Sequence, residues 1–361
     1  VTEVLRPPLH TVGVALVDRD GQPVRLRGVN WYGAESPDFV VGGLHCQPLE
    51  AIVRRIVELG ANAVRLPFST HLVVENPVVR PEAVAANPAL IGQPALAILD
   101  ATIAALTAAG LAVVLDNHTT HPDWCCAEGD GNDLWHSRAS PEARWIAVWA
   151  QLARRYRANP LVIAADLRNE PRGPARWTTA TPAANWRAAA ERAGAAILEE
   201  HPDWLVIVEG IDYASDLRGA GADPVQLPRP GRLVYSVHDY PWFHRRNAST
   251  EAMRQRWEQR WGFLRKASVL VGEFGLDVAE WSQPSERMPA RWLQALIGYL
   301  DERGGSWFYW PLNGTMSSAA PRHGRQFGAR EPFGLLSERW DGPANDRLAR
   351  WLFAPSGSSA R

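Results

Sequence analysis

Residues 161–171 read LVIAADLRNEP. A run this short and this apolar, stopping abruptly at Arg168-Asn169-Glu170-Pro171, has the signature of a strand buried on both faces rather than of an amphipathic helix. The same format recurs on either side of it. Short apolar runs fall near residues 26–31, 62–66, 111–116, 161–167, 205–208, 233–236, 269–272 and 306–310. Longer helical candidates lie between them, at 49–60, 94–110, 141–157, 183–201, 250–264 and 287–303. Gly60 and Gly110 stand where a helix C-terminus needs a left-handed residue, and Ser140-Pro141-Glu142 reads as an N-cap serine before a first-turn proline. The stretch between Val208 and Leu233 is glycine-rich and irregular, so its helix is the least defined.

Eight buried strands alternating with helices imply a parallel sheet, and eight repeats close more naturally into a (β/α)8 TIM barrel than into an open sheet. Ahead of the repeats, residues 11–28 alternate around Asp20-Gly21 and predict an N-terminal β-hairpin. The reading is an α/β catalytic domain over residues 1–353, with 354–361 as a disordered tail or linker stub. A net charge of −1 leaves no broad footprint for nucleic acid or an anionic membrane surface. No apolar run is long enough to span a bilayer. The chain opens on Val1 rather than Met, the expectation being a processed or trimmed product with a signal peptide removed, and a secreted or periplasmic location is expected.

The chemistry lies where the strands stop. In such a barrel the C-terminal strand ends carry the active site. Here they deliver Asn30 and Trp31, Arg65, Asp116-Asn117-His118, Asn169 and Glu170, His238 and Tyr240, Glu273 and Trp310. Each has a bland explanation singly: a strand-end ion pair for Arg65, a satisfied buried histidine for His118, an ordinary turn for Asn169-Glu170-Pro171. Their joint occurrence at one end, with two glutamates on strands facing each other across the mouth, points to paired-carboxylate hydrolysis. Seventeen tryptophans allow several flat platforms for sugar rings in addition to core packing, and Trp31, Trp124, Trp135, Trp242 and Trp310 are the candidates.

The segments RGVNWYG, ANAVRLP, LDNH, LRNEP, VHDY, GEFG and FYW, in order across nearly the whole chain, resemble glycoside hydrolase family 5, the cellulase-type family. AAERAGAAIL and LVYSVHDY add a likeness to bacterial secreted endoglucanases. The resemblance implies a retaining β-glycosidase, most simply an endo-β-1,4-glucanase, with Glu170 as acid/base and Glu273 as nucleophile. It also implies substrate-binding roles for Asn30, Trp31, Arg65, His118, Asn169, His238, Tyr240 and Trp310. Arg65 and Tyr240 are expected to hold Glu273 ionised. A β-mannanase, an exo-acting β-glycosidase on short glycosides or glycolipids, and a non-catalytic glycan-binding barrel are the alternatives. No metal and no cofactor is expected, since Asn30-Trp31 stands where a metal-dependent hydrolase would want a histidine pair. The expected partner is a β-linked oligo- or polysaccharide, and the expected state is a monomer.

Two features depart from the family pattern. Arg168 stands before Asn169 where a histidine is common, and the third loop, HTTHPDWCCAEGDGNDLWHS over residues 118–137, is long and rich in Trp, Cys and acids. Both bear on substrate choice. Of the three cysteines, Cys46 is expected to bridge to Cys125 or Cys126 across neighbouring loops, with three buried thiols as the alternative.

Overall fold

In the computed structural model, residues 5–281 and 288–354 are described. Eight parallel strands close into a barrel: β4 (Arg27–Asn30), β5 (Ala63–Ser69), β6 (Ala112–Thr119), β7 (Val162–Asp166), β8 (Leu205–Glu209), β9 (Leu233–His238), β10 (Val269–Phe274) and β11 (Trp307–Tyr309). Every strand pairs with its sequence neighbours, and β11 returns to β4 through Trp307↔Arg27 and Tyr309↔Val29. All eight apolar runs are therefore barrel strands.

Before them lies a three-stranded antiparallel sheet rather than a two-stranded hairpin: β1 (His10–Val12), β2 (Ala15–Val17) and β3 (Pro23–Val24). The Asp20-Gly21 turn joins β2 to β3, and the Asp18 carboxylate accepts from the backbone N–H of Asp20 and Gln22 to close it. The extra strand comes from Gly13, whose φ of 59° allows a second tight turn upstream.

The surrounding helices are α1 (Leu49–Leu59), α2 (Thr70–Glu75), α3 (Ala95–Ala108), α4 (Glu142–Arg155), α5 (Trp186–Glu200), α6 (Arg218–Ala222), α7 (Thr250–Trp257), α8 (Met288–Arg303) and α9 (Asp346–Phe353). The irregular connection after β8 holds only the one short helix α6. Ser140 does not cap α4: its N–H is engaged in a turn with Ser137, and the helix starts one residue later than expected, at Glu142. The expected first residue of α8, Arg287, and the tail from residue 355 on lie outside the described residues.

Inward-facing residues alternate along each strand, and they change character with height. Near the N-terminal end the barrel is filled by Ala63, Ala112, Val114, Ala164, Ile207, Val234, Leu270 and Phe308, which pack as one cluster with the N-terminal sheet beneath. Gly28 belongs to this layer because a Cβ there would meet the Phe308 ring at 2.3 Å. Two residues further along the same strands, the inward positions become Asn30, Arg65, Asp116, Asp166 and Glu209, with His238 four residues beyond Val234, all at most 1% exposed.

Many tryptophans fasten helices to this upper end. Trp145 and Trp149 of α4 both donate to the Leu167 carbonyl at 3.0 Å, and Trp186 of α5 donates to the Glu209 carbonyl at 2.8 Å. α1 ends at Gly60, φ 92°, whose N–H caps the Val57 carbonyl. Gly60→Ala should lower stability by about 1 kcal/mol, because an L side chain is strained at that φ. Urea unfolding checks this, and the specific activity of the folded fraction should not change.

Candidate active site

Arg65 is the centre of the upper layer. Its Nε donates to Asp166 at 2.9 Å, and its two terminal nitrogens donate to Glu273 (2.8 Å), Asn30 (2.9 Å), Glu209 (2.9 Å) and Asn169 (3.0 Å). Asp116 lies 3.1 Å from Nη2. Burial works against the guanidinium charge, but these carboxylates outweigh it and hold Arg65 well above its usual range. The same crowding has opposite effects on its neighbours. Asp166 is pushed well up by burial and by Glu209. Glu209, although buried, is pulled down to about 2 by His238 and Arg65.

Glu170 and Glu273 face each other above this layer. Together with His238 they offer one ligand-type atom each within 4.8 Å of one another, so a carboxylate oxygen of each glutamate lies inside that limit. Glu170 has a left-handed backbone, φ 47°, at the turn that the Asn-Glu-Pro sequence makes. Its N–H donates to Glu209 at 2.7 Å, and that bond fixes a conformation a non-glycine residue adopts only when its surroundings impose it. Glu273 receives the Tyr240 hydroxyl at 3.0 Å in addition to Arg65. These contacts were expected to hold its carboxyl low. The net direction is upward instead: burial dominates, opposed by His238, Arg65 and His118 and reinforced by Glu170.

His238 Nδ1 is 2.9 Å from Glu170 and 3.6 Å from Glu273, and its Nε2 lies 3.3 Å from Glu209. Burial opposes its charge, but Glu209 and Glu273 prevail and hold it well above the ordinary histidine value. His118 pairs through Nδ1 with Asp116 at 2.6 Å and is likewise raised, Asp116 outweighing burial. Its ring stacks on Trp310 with centroids 5.3 Å apart. Asn169 accepts from Arg65 through its side-chain oxygen, which turns its amide nitrogen to the cleft.

The cleft above these groups is a cavity of about 560 Å³. Trp310, Tyr240, Trp124 and Phe333 wall it, and His118, Asn169, Glu170 and Glu273 form its chemical face. Trp242 stacks on Tyr240 (4.4 Å, 9°) and is 62% exposed, extending the aromatic line to the rim.

Several expected substrate contacts do not reach this cleft. Trp31 is fully buried and its indole N–H donates to the Gly42 carbonyl, so it is a core residue. Trp135 is equally buried, donating to Glu142. Asn30 is fully buried, bound to Arg65 and to the carbonyl of Gly272, and Arg65 itself is 1% exposed. Arg65 supports Glu273 from below, and Asn30 braces Arg65. His238 is 1% exposed and lies behind the cleft-lining Glu170 and Glu273. Sequence reading missed the roles of Asp166 and Glu209, the last residues of β7 and β8, which face inward beside Arg65. It also missed Tyr32, which stacks on Trp310 and donates to Glu331 at 2.6 Å, with Arg325 bound to both and lying over Trp124.

The cysteine expectation is overturned. Cys125 and Cys126 are bonded to each other, and Cys46 is a free, exposed thiol. The third loop turns its cysteine pair inward to the cleft wall, while Cys46 stays at the surface beside the Gly43 carbonyl.

Comparison with known proteins agrees with this arrangement. Residues 17–315 match the model of the cellulase family, glycosyl hydrolase family 5. An endoglucanase of Paenibacillus polymyxa is 35% identical, the match spanning 94% of this chain and 86% of that protein. A major extracellular endoglucanase of Xanthomonas campestris pv. campestris is 32% identical over 95% of this chain and 71% of its own length. The solved catalytic domain of the major endoglucanase from the same organism superposes with a TM-score of 0.82 at 30% identity, covering 96% of this chain and all of that one. A closed barrel, two facing glutamates on an arginine-centred floor and these likenesses together place the chain in glycosyl hydrolase family 5, the cellulase family, and make it a glycoside hydrolase.

Proposed function

We propose that the enzyme is an endo-acting β-1,4-glucanase that hydrolyses with retention, using Glu170 as acid/base and Glu273 as nucleophile. The carrying observation is that one carboxylate oxygen of Glu170 and one of Glu273 lie within 4.8 Å of each other. Retaining glycosidases hold this pair about 5–5.5 Å apart, whereas inverting enzymes leave about 6.5–9.5 Å for a water. In the first step Glu273 attacks the anomeric carbon while Glu170 protonates the departing glycosidic oxygen. In the second, Glu170 takes a proton from water, which displaces Glu273 from the glycosyl ester. His238 holds one oxygen of Glu170, leaving the other for the leaving group. Asn169 is positioned to bind the sugar 2-hydroxyl, and Trp310 to floor the subsite of the cleaved sugar.

The polymeric substrate is supported by the aromatic line from Trp310 through Tyr240 to exposed Trp242, which offers faces to more than one sugar ring, and by the endoglucanase relatives. Export from the cell is supported by the extracellular relative, and the catalytic unit is read as a monomer spanning the barrel to residue 353. Among the described residues no helix is long and apolar enough to cross a membrane.

Glu273→Gln and Glu170→Gln should each lower hydrolysis of soluble β-1,4-glucan by about 10³-fold or more. NMR of early products should show the β-anomer, and an α-anomer would require a different mechanism. Trp310→Ala should reduce kcat/KM by about tenfold, and full activity on cello-oligosaccharides would remove Trp310 from the subsite. Because Glu273 must be ionised and burial raises its pKa, activity should fall as pH drops through a value above the usual glutamate value of about 4.3. His118→Asn removes a cation that pulls Glu273 down, so it should move this acidic limb to higher pH; pH profiles of kcat/KM on both proteins check the direction.

A further inference from the structure

The bonded pair Cys125–Cys126 has no part in the chemistry above, yet it lines the catalytic cleft. The Asn169 amide nitrogen lies 3.3 Å from the Cys125 sulfur and 3.5 Å from the Cys126 sulfur. Both sulfurs and one Glu170 oxygen fall within 4.8 Å of one another. The loop that carries them is pinned from the β7 side. Arg172 forks onto Asp130 at 2.8 Å and reaches Asp133, and Arg168 donates to the Asn132 carbonyl at 2.7 Å. None of these contacts involves the S–S bond, so they hold the loop independently of it.

We propose that Cys125 and Cys126 form a redox-gated metal site. As a disulfide they are an inert cleft wall. As a reduced dithiol they bind a soft divalent cation together with Glu170 and switch the enzyme off. The reducing step breaks the S–S bond with two electrons and two protons from an added dithiol, which itself becomes a disulfide. A cation such as Zn²⁺ or Cd²⁺ then displaces the two thiol protons and takes two thiolates and one carboxylate. Ligand atoms around such an ion stand roughly 3.5–4 Å apart, so once reduced the two sulfurs must separate, by rotation about their Cα–Cβ bonds, to share it with Glu170. Turnover stops because Glu170 has no oxygen left for the glycosidic bond. The inhibition rests on Glu170 being the acid/base, but the binding of the metal does not.

The test uses Cd²⁺ as the probe, read by thiolate-to-metal absorption in the ultraviolet, with β-1,4-glucan hydrolysis measured in parallel. Thiol titration of the denatured, untreated enzyme should find one thiol, Cys46, and three after reduction. Reduced enzyme, cleared of reductant, should take up one Cd²⁺ with loss of most activity, restored by chelator and reoxidation. Unreduced enzyme should show neither change. Glu170→Gln should weaken the Cd²⁺ affinity roughly tenfold or more, and Cys125→Ser/Cys126→Ser should give no absorption and no reductant-dependent inhibition relative to its own untreated rate. Three thiols before reduction, no Cd²⁺ absorption after it, or equal inhibition of unreduced enzyme would each overturn the proposal. Metal uptake by an enzyme that cleaves no glucan would support the site and refute the endoglucanase reading instead.

Discussion

The site depends on placing one permanently charged side chain, Arg65, where water does not reach. An unpaired guanidinium there would cost several kcal/mol, so the barrel must bring it anions. Asp116, Asp166, Glu209 and Glu273 arrive from four different strands and compete for it. That competition sets the protonation pattern. Glu209 wins His238 as well and stays low, Asp166 is pushed up, and Glu273 is left at the open side with less stabilisation than burial costs it. Glu273 thus keeps its hydrogen bond to Arg65 while its carboxyl is raised rather than held low.

Strand parity assembles the cluster. Inward positions recur every second residue, so Ala63 and Arg65, or Val114, Asp116 and His118, are successive rungs of one face. The apolar rungs fill the lower barrel and the polar rungs begin at one height on neighbouring strands. In VHDY the same rule separates roles: His238 points inward to the glutamates, whereas Asp239 accepts from Trp257 and Trp292 of the surrounding helices. Trp145, Trp149 and Trp186, which donate to strand-end carbonyls, hold those ends in place from the core side.

The eight strands and the polar groups at their ends were legible because both follow from short-range patterns: apolar runs, glycine stops and abrupt polar ends. Depth was not legible. Asn30, Trp31 and Arg65 are adjacent to the site in sequence, but whether a side chain faces the cleft or the layer beneath depends on how far each strand rises in the closed barrel. The pairing of Cys125 with Cys126 was also hidden, because neighbouring loops made a bridge from Cys46 equally consistent with the sequence. The long-range contacts of Tyr32 with Arg325 and Glu331, some 300 residues apart in the chain, have no local signal at all.

Arg168 and the long third loop are one feature rather than two departures. The guanidinium is fully buried, and among the described residues no carboxylate forms an ion pair with it. Burial, with Arg172 nearby, pushes it down to about 9. A charge so placed is tolerable only if its donors are used, and two of them go to the Asn117 side chain and the Asn132 carbonyl. Asn132 in turn accepts the N–H groups of Thr120 and His121, closing the loop on itself. A histidine at this position is too short to reach both the β6 strand end and the far side of the loop. The arginine spans them, and with Arg172 on Asp130 it draws the loop inward until Trp124 and the cysteine pair stand in the cleft wall. The shape of the substrate cleft on this side is thus set by a residue that never touches it.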